Sequence, residues 1–341
     1  MNTFDLTTVL GVPDLADHLS RVEQGINRTL LSDNRYLSQP IRRLLRGRRA
    51  KQLRPSLLIA IVIGQGQQIN DLVITGCVAV ELVHIASLVH DDVIDTADER
   101  WGIPTINGHE GVNRAIVVGD YLLAKACLQA AAISAPAAKI IASTIAALCD
   151  GQTRELADKG NTDRSKAAYL AAVSGKTAAL LSAVCQLGGM CAGLTTSQMS
   201  ALARFGQDFG MAFQIVDDIL DLVSTPALSG KPVGQDLSAG IYTLPLLFAL
   251  AGSSGDTLRI LLKDYQPHDQ SAIIDILLRD SSIEKAIQIA QKYSQSSIQA
   301  LQNLGGSSAI NLINLPNAYL NWALKQAVAG SYRPAIAKIL P

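Results

Sequence analysis

The stretch DLVITGCVAVELVHIASLVHDDVID, residues 71–95, reads as one long apolar helix that ends in three aspartates. Asp91 and Asp95 are four residues apart, so they fall within about 40° of each other around the helix. Asp92 sits beside them. Three like charges on one face repel each other, and the apolar run ahead of them does not belong to a freely solvated helix. The pattern occurs a second time: FQIVDDILDLV, residues 213–223, places Asp217, Asp218 and Asp221 near the end of another apolar helix.

Outward from these two stretches, nearly every segment shows helical periodicity. The spacing predicts helices over 14–31, 37–46, 55–66, 71–95, 111–134, 137–158, 166–174, 176–193 and 197–222, and one opening at Thr243-Leu244-Pro245. Shorter helices fill 256–341, with breaks expected at Gly255, Pro267, Gly305-Gly306 and Pro316. No strand alternation stands out. Two loops rich in turn formers, TADERWGIPTINGHEG and LVSTPALSGKPVGQDLSAG, follow the aspartate clusters. The expectation is a single all-α domain over residues 1–341.

Composition agrees with that expectation. Hydrophobic residues make up 48% of the 341 and charged residues 17%, enough for a large core, while aromatics are only 4%. The formal net charge of zero argues against a general nucleic-acid binder. Cys77, Cys127, Cys149, Cys185 and Cys191 stand singly in apolar stretches and read as buried free thiols of a reducing compartment. The first nineteen residues carry acids and no basic segment leading into an apolar block, so no signal peptide and a cytoplasmic location are expected. Residues 177–194 approach membrane-spanning length, but Ser182, Gln186 and Gly188-Gly189 favour a buried central helix over a transmembrane segment.

Hard divalent cations neutralise clustered carboxylates most cheaply. Mg2+ prefers carboxylate oxygen, keeps several waters and bridges to phosphate. Two clusters of one spacing therefore describe a pair of jaws that hold a diphosphate through metal ions.

The chain resembles the trans-isoprenyl diphosphate synthases (polyprenyl synthetase family), with the likeness strongest over residues 45–250 and closest to long-chain members. The residues that carry it are DDVID followed by Arg100-Trp101-Gly102, GDYLLAKA at 119–126, GKTAALLS at 175–182, and the second aspartate motif followed by GKPVGQDL. The resemblance implies a helical bundle around a central apolar cavity and Mg2+ bound by Asp91, Asp92, Asp95, Asp217, Asp218 and Asp221, with three ions in the loaded enzyme. It also implies condensation of an allylic diphosphate with isopentenyl diphosphate.

By the same resemblance, Lys51, Arg54 and His84 hold isopentenyl diphosphate, and Arg100, Lys176 and Lys231 grip the allylic diphosphate, with Thr177 and Gln214 as polar neighbours. His84 by itself would read as a core histidine, but it lies two turns before Asp91 on nearly the same face. His90 reads as structural. Arg42, Arg43 and Arg46 read as a solvated or membrane-surface patch. The small residues Ala86 and Ser87 stand where short-product members carry a bulky aromatic, which implies products of C20 or longer. A homodimer is expected by resemblance, with peripheral membrane contact for product release.

Three positions depart from the family pattern. Arg49 and Ala50 replace two glycines before Lys51, Trp101 stands in place of a second arginine, and Ile241 replaces a lysine ahead of Thr-x-Pro. The last two remove positive charge from phosphate sites, at about 1.5–3 kcal/mol for each lost charged contact. They motivate an alternative, a terpene synthase-like enzyme that ionises the allylic diphosphate without normal elongation. A non-catalytic subunit of a heteromeric synthase is the second alternative.

Overall fold

The computed structural model describes residues 4–47, 52–100, 102–223, 234–302, 304 and 306–328. Its helices are α1 Leu6–Leu10, α2 Leu15–Thr29, α3 Arg35–Gly47, α4 Leu53–Gly64, α5 Asp71–Ile94, α6 Ile106–Glu110, α7 Val112–Ile133, α8 Ala135–Ala157, α9 Lys166–Val173, α10 Ala179–Cys191 and α11 Thr196–Val223. The C-terminal part adds α12 Gln235–Ala239, α13 Leu244–Leu250, α14 Gly255–Lys263, α15 Gln270–Arg279, α16 Ser282–Ala300 and α17 Gly306–Val328. Among the described residues the only strands form one ribbon, β1 Glu99–Arg100 antiparallel to β2 Ile103–Pro104, which lies in the loop after the first aspartate cluster of an otherwise helical fold. Two residues per strand are too few to leave an alternating pattern in the sequence.

Local signals set the helix starts. Asn70 accepts a hydrogen bond from the Val73 amide and opens α5, and Ser134 and Ser165 cap α8 and α9 in the same way. Pro316, expected to break a helix, lies inside α17. The buried face Leu312, Leu315, Tyr319, Leu320 and Ala323 crosses it, and that burial outweighs one lost backbone hydrogen bond. The expected break between 174 and 176 is absent too. Ser174–Ala178 forms a π-helical turn that joins α9 and α10 into one helix, Lys166–Cys191.

The core is one contiguous cluster running from Leu6 to Leu324. α5 is buried on nearly all sides and packs against α2, α4, α7 and α10, while α11 packs against α10, α16 and α17. α10 therefore lies between the two aspartate-bearing helices. Phe205 and Phe209 stack on α11 with ring centroids 6.0 Å apart, and Tyr319 of α17 closes over Phe209 and Phe213. Cys77 and Cys185 are buried, as expected; Cys149 is exposed, on the outer side of α8. Among the described residues three helices, Asp71–Ile94, Val112–Ile133 and Lys166–Cys191, are long and apolar enough to cross a membrane by length and composition.

Candidate active site

The first cluster divides around the end of α5. Asp91 is half-buried and Asp95, which ends the helix, is exposed. Asp92, about 100° further round, turns inward and is 3% exposed. It accepts a 2.7 Å hydrogen bond from Arg100 Nε, and Asn107 Nδ2 donates to its backbone carbonyl at 3.2 Å. The β-ribbon thus bends the chain back so that Arg100 reaches Asp92.

The second cluster divides in the same way. Asp217 is exposed and Asp218 buried. Asp218 accepts from the Tyr169 hydroxyl at 2.5 Å and from Gln214 Nε2 at 2.8 Å, while Thr177 Oγ1 donates to Gln214 Oε1 at 2.7 Å. Asp221 faces the backbone: its carboxylate accepts from the Gln235 and Asp236 amides at 3.3 and 3.1 Å and so ties α11 to α12.

Lys176 lies within electrostatic reach of the first cluster and shares a cavity wall with Asp218 of the second. Its ammonium donates to Glu155 of α8, and Asp91 and Asp95 also act on it. Burial works against its charge, but these acids hold its pKa above the usual lysine value. Glu155 acts in turn on both Asp91 and Asp218, so the Lys176–Glu155 pair lies within electrostatic reach of both aspartate groups.

Backbone contact fixes this position. A Cβ on Gly175 would meet the Ala147 carbonyl oxygen at 2.6 Å, and one on Gly151 would meet the Lys176 amide nitrogen at 2.3 Å. Glycine at both positions lets α8 touch the π turn, and the wide turn presents Lys176 and Thr177 together.

Carboxyls held in this way lie above their ordinary range. Burial pushes Asp91 up to about 6, with Lys176 partly opposing and Asp95 adding to the rise. Burial likewise pushes Asp218 up to about 7 against its two hydrogen bonds, and Asp236 well up, with Asp218 and Asp221 contributing. An aspartate whose pKa rises on folding stabilises the fold below its unfolded value near 4, and that stability is lost as pH climbs through the folded value. The metal-free protein is therefore expected to melt about 5 °C lower at pH 8 than at pH 5. Mg2+ with pyrophosphate should restore most of the difference at pH 8. Thermal scans in EDTA check this; a melting temperature that stays level or rises from pH 5 to 8 contradicts it.

Among the described residues no three of these acidic side chains close around a common point. Each cluster instead offers hard carboxylate oxygens from an open helix face. That donor set suits Mg2+, which retains waters and takes phosphate oxygens as further ligands.

Tyr169 and Glu155, which no sequence motif singled out, are as embedded in the site as the aspartates. The other expected binding residues are placed less closely. Arg54 lies in the first turn of α4 and His84 on α5, both half-buried. Ser87 lies on the Asp91 side of α5 and donates to the His84 carbonyl, whereas Ala86 is fully buried. Lys51, Trp101 and Lys231 lie outside the described residues. Arg43 departs from the expected solvated patch: it is half-buried, pairs with both carboxylate oxygens of Glu110 and lines a small pocket with Asp92 and Arg100. Arg42 and Arg46 remain exposed, along a cleft of about 440 Å³ that also includes Ile103.

The family profile of polyprenyl synthetase matches residues 34–278. The chain belongs to the polyprenyl synthetase family. Heptaprenyl diphosphate synthase component 2 of Geobacillus stearothermophilus is 35% identical to this polyprenyl synthetase over 304 residues, covering 88% of this chain and 93% of that one. Nonaprenyl diphosphate synthase of Mycobacterium tuberculosis is 38% identical over 276 residues, covering 78% and 82%. The crystal structure of a decaprenyl diphosphate synthase from Rhodobacter capsulatus superposes with a TM-score of 0.84 at 27% identity, covering 93% of this chain and 98% of that one.

Proposed function

We propose that this polyprenyl synthetase is an Mg2+-dependent trans-prenyltransferase that condenses an allylic diphosphate with isopentenyl diphosphate to give products of C20 or longer. The observation that carries the reading is that both aspartate groups, on α5 and α11, lie within electrostatic reach of the Lys176–Glu155 pair. Mg2+, with three ions as the working count, would be held by Asp91 and Asp95 on one side and Asp217 and Asp221 on the other. When bound it supplies the positive charge that stabilises a departing diphosphate.

In this scheme Asp92 and Asp218 act from behind. Asp92 holds Arg100 and Asp218 holds Gln214, which in turn fixes Thr177. Lys176 and Arg100, with Lys231, take the negative charge that develops on the leaving group as the C–O bond breaks. Lys51, Arg54 and His84 orient isopentenyl diphosphate so that its double bond attacks the allylic cation. A proton then leaves to the departed diphosphate. Ser87, small and on the Asp91 side of α5, leaves the path of a growing chain open, and the whole chain works as one domain.

Pyrophosphate release from a C15 allylic diphosphate, measured with and without isopentenyl diphosphate, tests the reading. Release that depends on the second substrate supports it. Release without that substrate points to the cyclising or hydrolysing alternative.

The apolar outer face of α7 supports a homodimer. Val112, Ile116, Val117 and Leu128 are 49%, 43%, 57% and 61% exposed, on a helix that packs along α5. Light scattering is expected to give twice the chain mass, falling to one chain in Val117→Asp. Two relatives are named as component 2 of a heptaprenyl diphosphate synthase, so a different partner chain is the competing reading. A purified monomer with no elongating activity would favour it.

A further inference from the structure

The end of α5 holds a backbone conformation that its sequence does not favour. Thr96, the residue after Asp95, has a φ of +52°. A β-branched side chain is strained in this left-handed region, and glycine is the common occupant of this place after a helix. The Ala97 amide donates to the Asp92 carbonyl at 2.9 Å and the Thr96 amide to the Val93 carbonyl at 3.3 Å, the paired bonds of a left-handed helix end. Strain of this kind persists only where the surroundings over-determine it.

Here α6 supplies those surroundings. Asn107 Nδ2 donates to the Asp92 carbonyl at 3.2 Å and to the Ala97 carbonyl at 2.9 Å, one before Thr96 and one after it. Asn107 Oδ1 is buried and makes no hydrogen bond, so the side chain serves this turn alone. Thr105 Oγ1 donates to the Ala97 carbonyl at 2.7 Å and accepts from the Gly108 amide at 3.0 Å, and the Thr105 amide donates to the Asp98 carbonyl at 2.9 Å. A Cβ on Gly108 would meet the Asp98 carbonyl oxygen at 2.7 Å, so α6 touches the turn through its backbone. The turn leads straight into Arg100, whose Nε bonds Asp92.

We propose that Asn107 is a positioning residue for the first aspartate cluster: by holding Thr96 in its left-handed turn, it fixes Asp95 at the end of α5 and returns Arg100 to Asp92. The inference rests on the functional reading above and adds to it a residue that acts through others. An amide suits the task because its two N–H groups satisfy two carbonyls and bring no charge beside the carboxylates. The plain structural alternative is a clamp that matters for stability alone.

The test is elongation rate against Mg2+ for wild type, Asn107→Leu and Asn107→Leu/Thr96→Gly, measured well below the melting temperature of each. Asn107→Leu is expected to raise the half-saturating Mg2+ about tenfold, the size of effect typical of residues that orient metal ligands. The KM for isopentenyl diphosphate should stay within about twofold, since the turn does not hold that substrate. Glycine at 96 reaches the positive φ without steric cost, so the double variant should recover most of the Mg2+ response. An Mg2+ requirement within about twofold of wild type in Asn107→Leu overturns the proposal. So does a loss that Thr96→Gly leaves unchanged, or a rise in the isopentenyl diphosphate KM as large as the rise in Mg2+ requirement. Should Asn107→Leu not fold, Thr105→Val takes its place, with and without Thr96→Gly. It removes one donor of the same clamp, so a smaller rise with the same recovery is expected, and no rise overturns the proposal. Wild type that does not elongate removes the functional reading and this role with it. Normal elongation with an indifferent Asn107→Leu removes only the role of Asn107.

Discussion

Asp91→Asn and Asp217→Asn, made separately, are each expected to lower turnover about 10^3-fold while leaving the fold intact. The size follows from removing one charged oxygen donor from a preorganised electrostatic site. The stability effect of the first is expected to run the other way. Asp91 keeps its charge at neutral pH against burial that has raised its pKa to about 6, so the neutral amide relieves a desolvation cost. The metal-free Asp91→Asn protein should melt at or above the wild-type temperature at pH 8, and Mg2+ with pyrophosphate should stabilise it far less than wild type. Steady-state kinetics with paired melting curves check both. A variant that loses activity and stability together would make Asp91 a structural residue instead.

Gly151→Ala is expected to destabilise the fold by about 3 kcal/mol and to reduce activity severely. The added methyl would lie 2.3 Å from the Lys176 amide nitrogen and 2.8 Å from the Ala172 carbonyl oxygen, both main-chain atoms that cannot rotate away. Overpacking of this kind typically costs about 1–3 kcal/mol, and clashes with backbone lie at the upper end. Glu155 is one turn beyond Gly151 on the same face of α8, so any separation of α8 from the π turn pulls Glu155 away from Lys176. Urea denaturation measures the stability and kinetics the activity. An alanine variant with wild-type stability would mean that α8 and the π turn are not in backbone contact. Gly175→Ala, whose methyl would meet the Ala147 carbonyl oxygen at 2.6 Å, is expected to behave alike.

These two cases mark what sequence reading reaches here and what it does not. Asp91 and Asp217 are legible because four-residue spacing on an apolar helix is a local pattern, visible without partners. The long helices are legible for the same reason, and their observed ends fall close to those expected. The contacts around the aspartates are not local. Tyr169 meets Asp218 across 49 residues, and Lys176 meets Glu155 across 21. No spacing rule marks either pair.

The π turn is hidden because Ser174-Gly175-Lys176 reads as a helix break. The contact with Gly151 keeps the backbone helical there, widened by one residue. Arg43 reads as a surface charge from its basic neighbours; only the fold brings Glu110, 67 residues on, against it. Gly151 and Gly175 did leave a trace, as small residues in otherwise helical stretches, which often mark close helix approach. The roles expected of Lys51 and Lys231 rest on resemblance, since both lie outside the described residues.

Chain elongation is the central claim, and sizing the products tests it most directly. The purified protein would be incubated with Mg2+, a C15 allylic diphosphate and labelled isopentenyl diphosphate, and the dephosphorylated products separated by length. The account predicts a ladder of labelled prenyl chains ending at one length of C20 or more, abolished by EDTA. Pyrophosphate release with no label in any prenyl product would contradict it.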